Sequence, residues 1–211
     1  MFALTDADLQ GRILGCADGP ASFNAEATRR GATVVSFDPL YRFAADQIRD
    51  RINVACDSVL EQARQHQEQF VWDFIPSVEA LGQIRMAAMN AFLADYPRGS
   101  RDGRYVDAEL PALPFADRAF DLALCSHFLF LYSEQLGETF HEAAIAELCR
   151  VAGEVRIFPL QALDWARSPY VESAVERLRR AGLEVSIERV PYEFVRGANE
   201  MMRVLSPARS A

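Results

Sequence analysis

Short apolar runs along this chain alternate with longer stretches in which apolar residues recur every three or four positions, the two periods of strands and helices. The run Ile13-Leu14-Gly15-Cys16 stops at the turn-forming residues Ala17-Asp18-Gly19-Pro20-Ala21-Ser22. A helix is predicted over 23–30, with Gly31 as its stop. The β-branched run Thr33-Val34-Val35-Ser36-Phe37 predicts a second strand, ending at Asp38-Pro39. From 41 to 96 the pattern is helical almost throughout, with Phe43, Ile48, Ile52, Ala55, Val59 and Leu60 at near-helical spacing. Pro76 starts a new helix there, running through Met86 and Met89 to Tyr96, and 97–103 reads as a polar loop.

Beyond that loop the pattern predicts strands over 104–107, 120–125, 154–159, 184–190 and 201–205, with helices over 138–151 and 169–181. The 120–125 run is apolar except for Asp121, as in a central parallel strand. Before the first strand, 5–9 suggests a short capped helix broken by Gly11. The last two strands are separated by 191–200, the size of a hairpin connection and not of a crossover, which needs a dozen or more residues. An open α/β sheet with one antiparallel strand near its edge follows. At 211 residues the chain suits a single domain (1–211) carrying a helical insertion over 41–103. That insertion is either a lid over a ligand or a layer covering one sheet face. Its Trp72 and Phe74 are core residues by default, with lining of a substrate cavity as the alternative.

Half the residues are hydrophobic and a quarter charged, enough to bury a sizeable core. The formal charge of -8 argues against general affinity for nucleic acid or an anionic membrane. Arg49-Asp50-Arg51 and Arg177-Leu178-Arg179-Arg180 read as solvated helix faces. Cys16, Cys56, Cys125 and Cys149 have no metal-ligand spacing, so no metal is expected, and Cys16 and Cys125 should pack as small apolar groups in strands. With neither a signal-peptide pattern nor an apolar run of about 20 residues, a cytoplasmic location is expected.

The chemistry concentrates at strand ends. A glycine-containing turn between a strand and a helix lets backbone N–H groups approach a ligand closely. Asp38 lies about 20 residues past that turn, where an open α/β sheet places an acid on ribose hydroxyls. A cap on the following helix is the alternative.

Three stretches resemble the class I S-adenosylmethionine-dependent methyltransferases: Leu14-Gly15-Cys16-Ala17-Asp18-Gly19, Phe37-Asp38-Pro39, and Leu113-Pro114-Phe115-Ala116-Asp117-Arg118-Ala119-Phe120-Asp121-Leu122. The last is similar to the LPF-x-D-x-x-FD signature of the type 11 group. The resemblance covers most of the chain outside the insertion. It implies a Rossmann-like, mostly parallel seven-stranded sheet with helices on both faces, its last strand antiparallel and the helical insertion after strand 2. It implies S-adenosyl-L-methionine as cofactor, with Gly15, Cys16, Ala17, Asp18 and Gly19 around the methionine portion. Asp38 would hold the ribose, and Pro39 or Leu40 would lie against the adenine. Asp107, followed by Ala108, is preferred over Glu109 as the adenine-facing acid. Ser126 and His127 would lie near the sulfonium and the acceptor. Two positions depart from the family pattern: Ile13 stands where an acid is common, and Ala17 replaces the middle glycine. Asp18 is the nearest substitute for the missing charge.

The resulting expectation is methyl transfer to a small-molecule acceptor beneath the insertion, with His127 as candidate base because an imidazole titrates near neutral pH. Tyr41, Tyr132, Tyr192 and Arg196 are candidate acceptor contacts, His66 a solvated surface residue and His141 a structural one. The alternative is a methyltransferase-like protein that binds the cofactor or a related nucleoside without turnover. A nicotinamide-dependent oxidoreductase fits poorly, because Gly15-x-Ala17-x-Gly19 lacks the GxGxxG spacing. An apolar insertion would also offer a surface for a homo-oligomer.

Overall fold

The computed structural model describes residues 1–206, apart from the side chains of Cys56 and Asp57, so the expectation for Cys56 lies outside the described residues. Seven strands form one sheet in the order β3-β2-β1-β4-β5-β7-β6. They are β1 (Arg12–Cys16), β2 (Thr33–Phe37), β3 (Tyr105–Val106), β4 (Phe120–Ser126), β5 (Ala152–Phe158), β6 (Glu184–Arg189) and β7 (Glu200–Leu205). All neighbours are parallel except at β7, which runs antiparallel to both β5 and β6. The short connection between β6 and β7 has this consequence: a chain that cannot cross over must turn back.

Side-chain alternation along the central strands feeds two cores. Leu14 and Cys16 of β1, with Ala123 and Cys125 of β4, join the cluster containing α4 (Glu138–Val151) and α5 (Val171–Arg180). Ile13 of β1, with Leu122 and Leu124 of β4, packs on the opposite side with Ala27 of α1 (Phe23–Arg29). Burying both faces of β1 and β4 is why these strands read as nearly continuous apolar runs.

Between β2 and β3 lie α2 (Ala45–Gln65) and α3 (Val78–Arg101). They enclose an aromatic cluster in which Tyr41, Phe92, Tyr96 and Tyr105 pack with ring centroids 5.0–5.9 Å apart. One sequence expectation fails here. Residues 97–103 are not a loop; α3 continues through Pro97 to Arg101 before turning at Asp102 and Gly103. Proline within a helix forfeits one backbone hydrogen bond, but packing outweighs that loss. Gly99 is pressed onto Tyr105, where a Cβ would lie 2.7 Å from Cδ2. Asp95 pairs with Arg104 at 2.8 Å, and the Gly99 carbonyl accepts from the Arg104 N–H at 2.8 Å. Among the described residues no helix is long and apolar enough to cross a membrane.

Candidate functional site

The three strand-end features expected from the sequence converge at the carboxyl ends of β1, β2 and β4. Cys16 pairs in register with Phe37 on one side and Cys125 on the other, so the turn after β1 sits between Asp38 and Ser126. Ala17 (φ 53°) and Gly19 (φ 54°) both adopt the left-handed region, and the Ala17 N–H bonds the Phe37 carbonyl at 3.0 Å. Ala17 therefore holds a conformation that glycine occupies without strain.

Asp38 ties the turn to β2. Its Oδ2 accepts from the Gly19 N–H at 2.9 Å and its Oδ1 from the Leu40 N–H at 2.7 Å. It thus caps the short 3-10 helix Pro39–Arg42, and each oxygen retains a lone pair for further donors. Of the surrounding heavy atoms outside its own turn, a Cβ on Gly19 would meet only Asp38 Oδ2 within 4 Å, at an ordinary contact distance of 3.9 Å. A carboxylate with spare acceptors beside a turn uncrowded by side chains suits a vicinal diol. Burial raises the Asp38 pKa, the Leu40 and Gly19 N–H groups oppose the rise, and the Asp107 charge adds to it. Asp107 follows β3 directly and pairs with Arg42 at 3.3 Å across a half-exposed surface. Ala108 packs against the main core, whereas Glu109 bridges Ala112 in the next loop.

Asp18 does something that sequence reasoning missed. Its carboxyl folds back over Gly15, so that a Cβ there would collide with Oδ2 and lie 2.6 Å from Cγ. The Ser36 hydroxyl donates to Oδ2 at 2.5 Å, Asn24 donates to Ser36 Oγ at 3.1 Å, and Arg104 reaches Asn24 Oδ1 at 2.6 Å and Asp95 at 2.8 Å. This chain of polar groups joins the turn through α1 and β2 to α3. Burial pushes the Asp18 carboxyl up to about 6, against the Ser36 hydrogen bond, with the neighbouring Asp38 charge adding to the rise. Ile13, where the resemblance leads one to expect an acid, is fully buried in the α1-side core. No residue pattern singles out this network; its Asn24 is a polar side chain buried in α1.

Ser126 and His127 lie at the end of β4, with Oγ and Nδ1 2.9 Å apart. The Ser126 hydroxyl has Met1 Sδ as an acceptor at 3.5 Å. In that arrangement Oγ accepts from Nδ1–H, which leaves Nε2 with the free lone pair. His127 keeps an exposed surface, yet desolvation by the atoms around its ring, with smaller contributions from the positive charges of Arg85 and the chain's amino terminus, lowers its pKa to about 4. The imidazole is therefore neutral at pH 7.

The other candidates are dispersed. Tyr41 is buried and its hydroxyl donates to the Gly19 carbonyl at 2.8 Å, bracing the turn. Arg196 donates to the Glu68 and Phe70 carbonyls and so ties the β6–β7 connection to the insertion. Tyr132 is exposed, while Tyr192 packs on Phe158 at 5.9 Å near His127. Trp72 belongs to the cluster with Phe70 and Phe194, and Phe74 is 72 % exposed. His141 is buried and bonds the Gly137 and Leu129 carbonyls, as a structural histidine should. His66 is exposed, but its ring touches Trp165 at 5.1 Å.

Two cavities lie near these candidates, one reaching the turn and one reaching His127. One of about 260 Å³ lies between α2 and α3 and reaches Pro20 and Leu40. Its walls are apolar apart from Arg51, stacked 4.0 Å over Phe43, and Arg85. The other, of about 180 Å³, lies behind His127 against Phe158 and Tyr192.

No family model matches the chain. It is 29% identical over 203 residues to the uncharacterized protein MJ0045 of Methanocaldococcus jannaschii, covering 96% of this chain and 89% of that protein. Among solved structures it is similar to the PH0226 protein of Pyrococcus horikoshii OT3 (14% identity, TM-score 0.49, 94% of this chain and 82% of that one). It is also similar to the magnesium protoporphyrin IX methyltransferase of Synechocystis PCC 6803, crystallised with S-adenosylmethionine (11% identity, TM-score 0.50, 96% and 73%). With the sheet order and the turn after β1, that last likeness identifies the fold as that of the class I S-adenosylmethionine-dependent methyltransferases.

Proposed function

We propose that this protein transfers a methyl group from S-adenosylmethionine to a small-molecule acceptor. The observation that carries the reading is the Asp38–Gly19 hydrogen bond, which joins the candidate ribose acid directly to the glycine-containing turn. Asp38 would accept from the ribose hydroxyls, Leu40 and Asp107 would lie toward the adenine, and the Gly15 to Gly19 turn would hold the methionine portion. The carboxylates of Asp18, Asp38 and Asp107 suit a cationic ligand. When bound, the cofactor supplies a methyl group activated by its sulfonium. The chain then has to supply orientation and exclusion of water. His127 Nε2 takes the proton of an acceptor O–H or N–H, and Ser126 fixes the ring that presents it. The Leu113 to Leu122 signature supports placement within the type 11 group. The insertion serves as a roof over the turn, because the cavity between α2 and α3 opens onto Pro20 and Leu40.

Isothermal titration with S-adenosylmethionine and S-adenosylhomocysteine tests this reading. Binding of both is expected, and folded protein that binds neither refutes it. Burial of Ile13 in an apolar core, with no acid at that position, favours a second reading: cofactor binding without transfer. Binding combined with no turnover across a broad acceptor panel would select that alternative.

A further inference from the structure

We propose that the cavity behind His127 is the acceptor subsite and takes a one- or two-ring aromatic or heteroaromatic molecule with an N–H or O–H donor on its edge. The proposal rests on the methyltransferase reading above. At about 180 Å³ the cavity has the right size, since an apolar protein cavity of about 150 Å³ is known to accept benzene. Its walls carry the rings of His127, Phe158, Trp165, Tyr192 and Phe194. The Phe158 ring meets those of His127 and Tyr192 edge-on, at interplanar angles of 74° and 70°. Edge and face contacts of this kind favour a flat ring over a branched aliphatic. Trp165 is held in the left-handed region (φ 66°), an uncommon and strained conformation for a bulky residue, and its N–H bonds the Ala162 carbonyl at 3.0 Å.

Gln161 supplies the polar requirement. It lines the cavity, and its Oε1 is buried with no hydrogen-bond partner, the one such side-chain atom among the described residues. Its Nε2 is turned to the Arg196 carbonyl at 3.5 Å, beside Gly197. A buried carbonyl oxygen without a donor is costly, and a ligand N–H or O–H removes that cost. Among walls made mostly of apolar groups and rings, this unpartnered buried acceptor selects a donor-bearing ligand over its isostere. His127 also lines the cavity and follows the end of β4, the strand paired with β1, so it places a proton acceptor on the side of the proposed cofactor site.

Indole and benzofuran, which share a shape but differ in the N–H, provide the test by calorimetric titration with and without saturating S-adenosylhomocysteine. The wild type is expected to bind indole at least about 10-fold more tightly. In Gln161→Leu that preference should disappear while benzofuran still binds, and in Ala198→Leu, which fills the cavity from a buried wall position, both should lose affinity. Equal affinity in the wild type, a preference that survives in Gln161→Leu, or no binding of either molecule overturns the proposal. Because the wild-type comparison and Ala198→Leu stand without Gln161→Leu, a misfolded variant does not protect it. Absence of S-adenosylhomocysteine binding with the indole preference intact overturns the methyltransferase reading, and the acceptor role with it, but not the ligand class.

Discussion

The Asp18 carboxyl lies over Gly15, in the space a side chain at that position would fill. The glycine that opens the turn is thus required by a neighbouring side chain as well as by any ligand. Gly15→Ala is expected to displace the carboxyl and to cost about 1–3 kcal/mol, the range of an overpacked site. Combining it with Asp18→Ala should recover most of that loss, a coupling that thermal melts of the two single variants and the double variant would measure. Additive losses would refute the contact.

Asp18 also makes stability depend on pH. Its folded pKa of about 6 exceeds the usual carboxylate value of 3.8, so the folded state binds the proton more tightly. The associated stability is present in full below the unfolded pKa and lost as pH rises through about 6. Asp18→Asn is therefore expected to raise stability at pH 7.5 by up to about 3 kcal/mol, from 1.36 kcal/mol per unit, with no gain near pH 4. Its affinity for the cationic cofactor should fall over the same range. Equal Tm gains at pH 4 and 7.5 would contradict this account.

Asp38 has two functions that substitution separates. Asp38→Ala removes the acceptor for both the Gly19 and Leu40 N–H groups and should lower stability by about 1–2 kcal/mol. It should also weaken S-adenosylhomocysteine binding by about 1–3 kcal/mol through the lost charged hydrogen bonds to ribose. Asp38→Asn keeps an oxygen for one N–H, so its stability loss should be smaller. A stability loss with unchanged affinity would leave only the capping role.

Much of this architecture is legible in the residues. The alternating apolar runs locate every strand, and the short β6–β7 connection dictates the antiparallel strand. Local signals mislead where distant partners decide. Pro97 and Gly99 look like a loop, yet Arg104, just before β3, and Tyr105, on it, grip Asp95 and hold the helix together. Burial alone would raise the Asp95 pKa, but those two partners hold it below the ordinary carboxylate range. At the site, the turn and Asp38 follow from spacing, whereas the Asp18–Ser36–Asn24–Arg104 chain does not. Its members come from four separate segments, and no periodicity announces a polar contact across a sheet face. Gln161 and Trp165 escape for the same reason, because both sit on the irregular segment after β5.

His127 carries the sharpest kinetic consequence. Its pKa, lowered to about 4 mainly by desolvation of a ring that still meets solvent, keeps Nε2 unprotonated across the neutral range. If this imidazole takes the acceptor's proton, the acid limb of kcat/KM should fall near pH 4 and not near the unperturbed 6.5. His127→Gln should lower kcat by about 10²-fold or more for a hydroxyl acceptor, the usual contribution of a positioned base. It should leave affinity for S-adenosylhomocysteine changed by far less. The contrast arises because Gln still fills the space beside Ser126 and Phe158 but cannot accept a proton. An acid limb at 6.5 would show that the ring is more solvated than its surroundings dictate. Unchanged kcat in the variant would reduce His127 to a wall of the cavity.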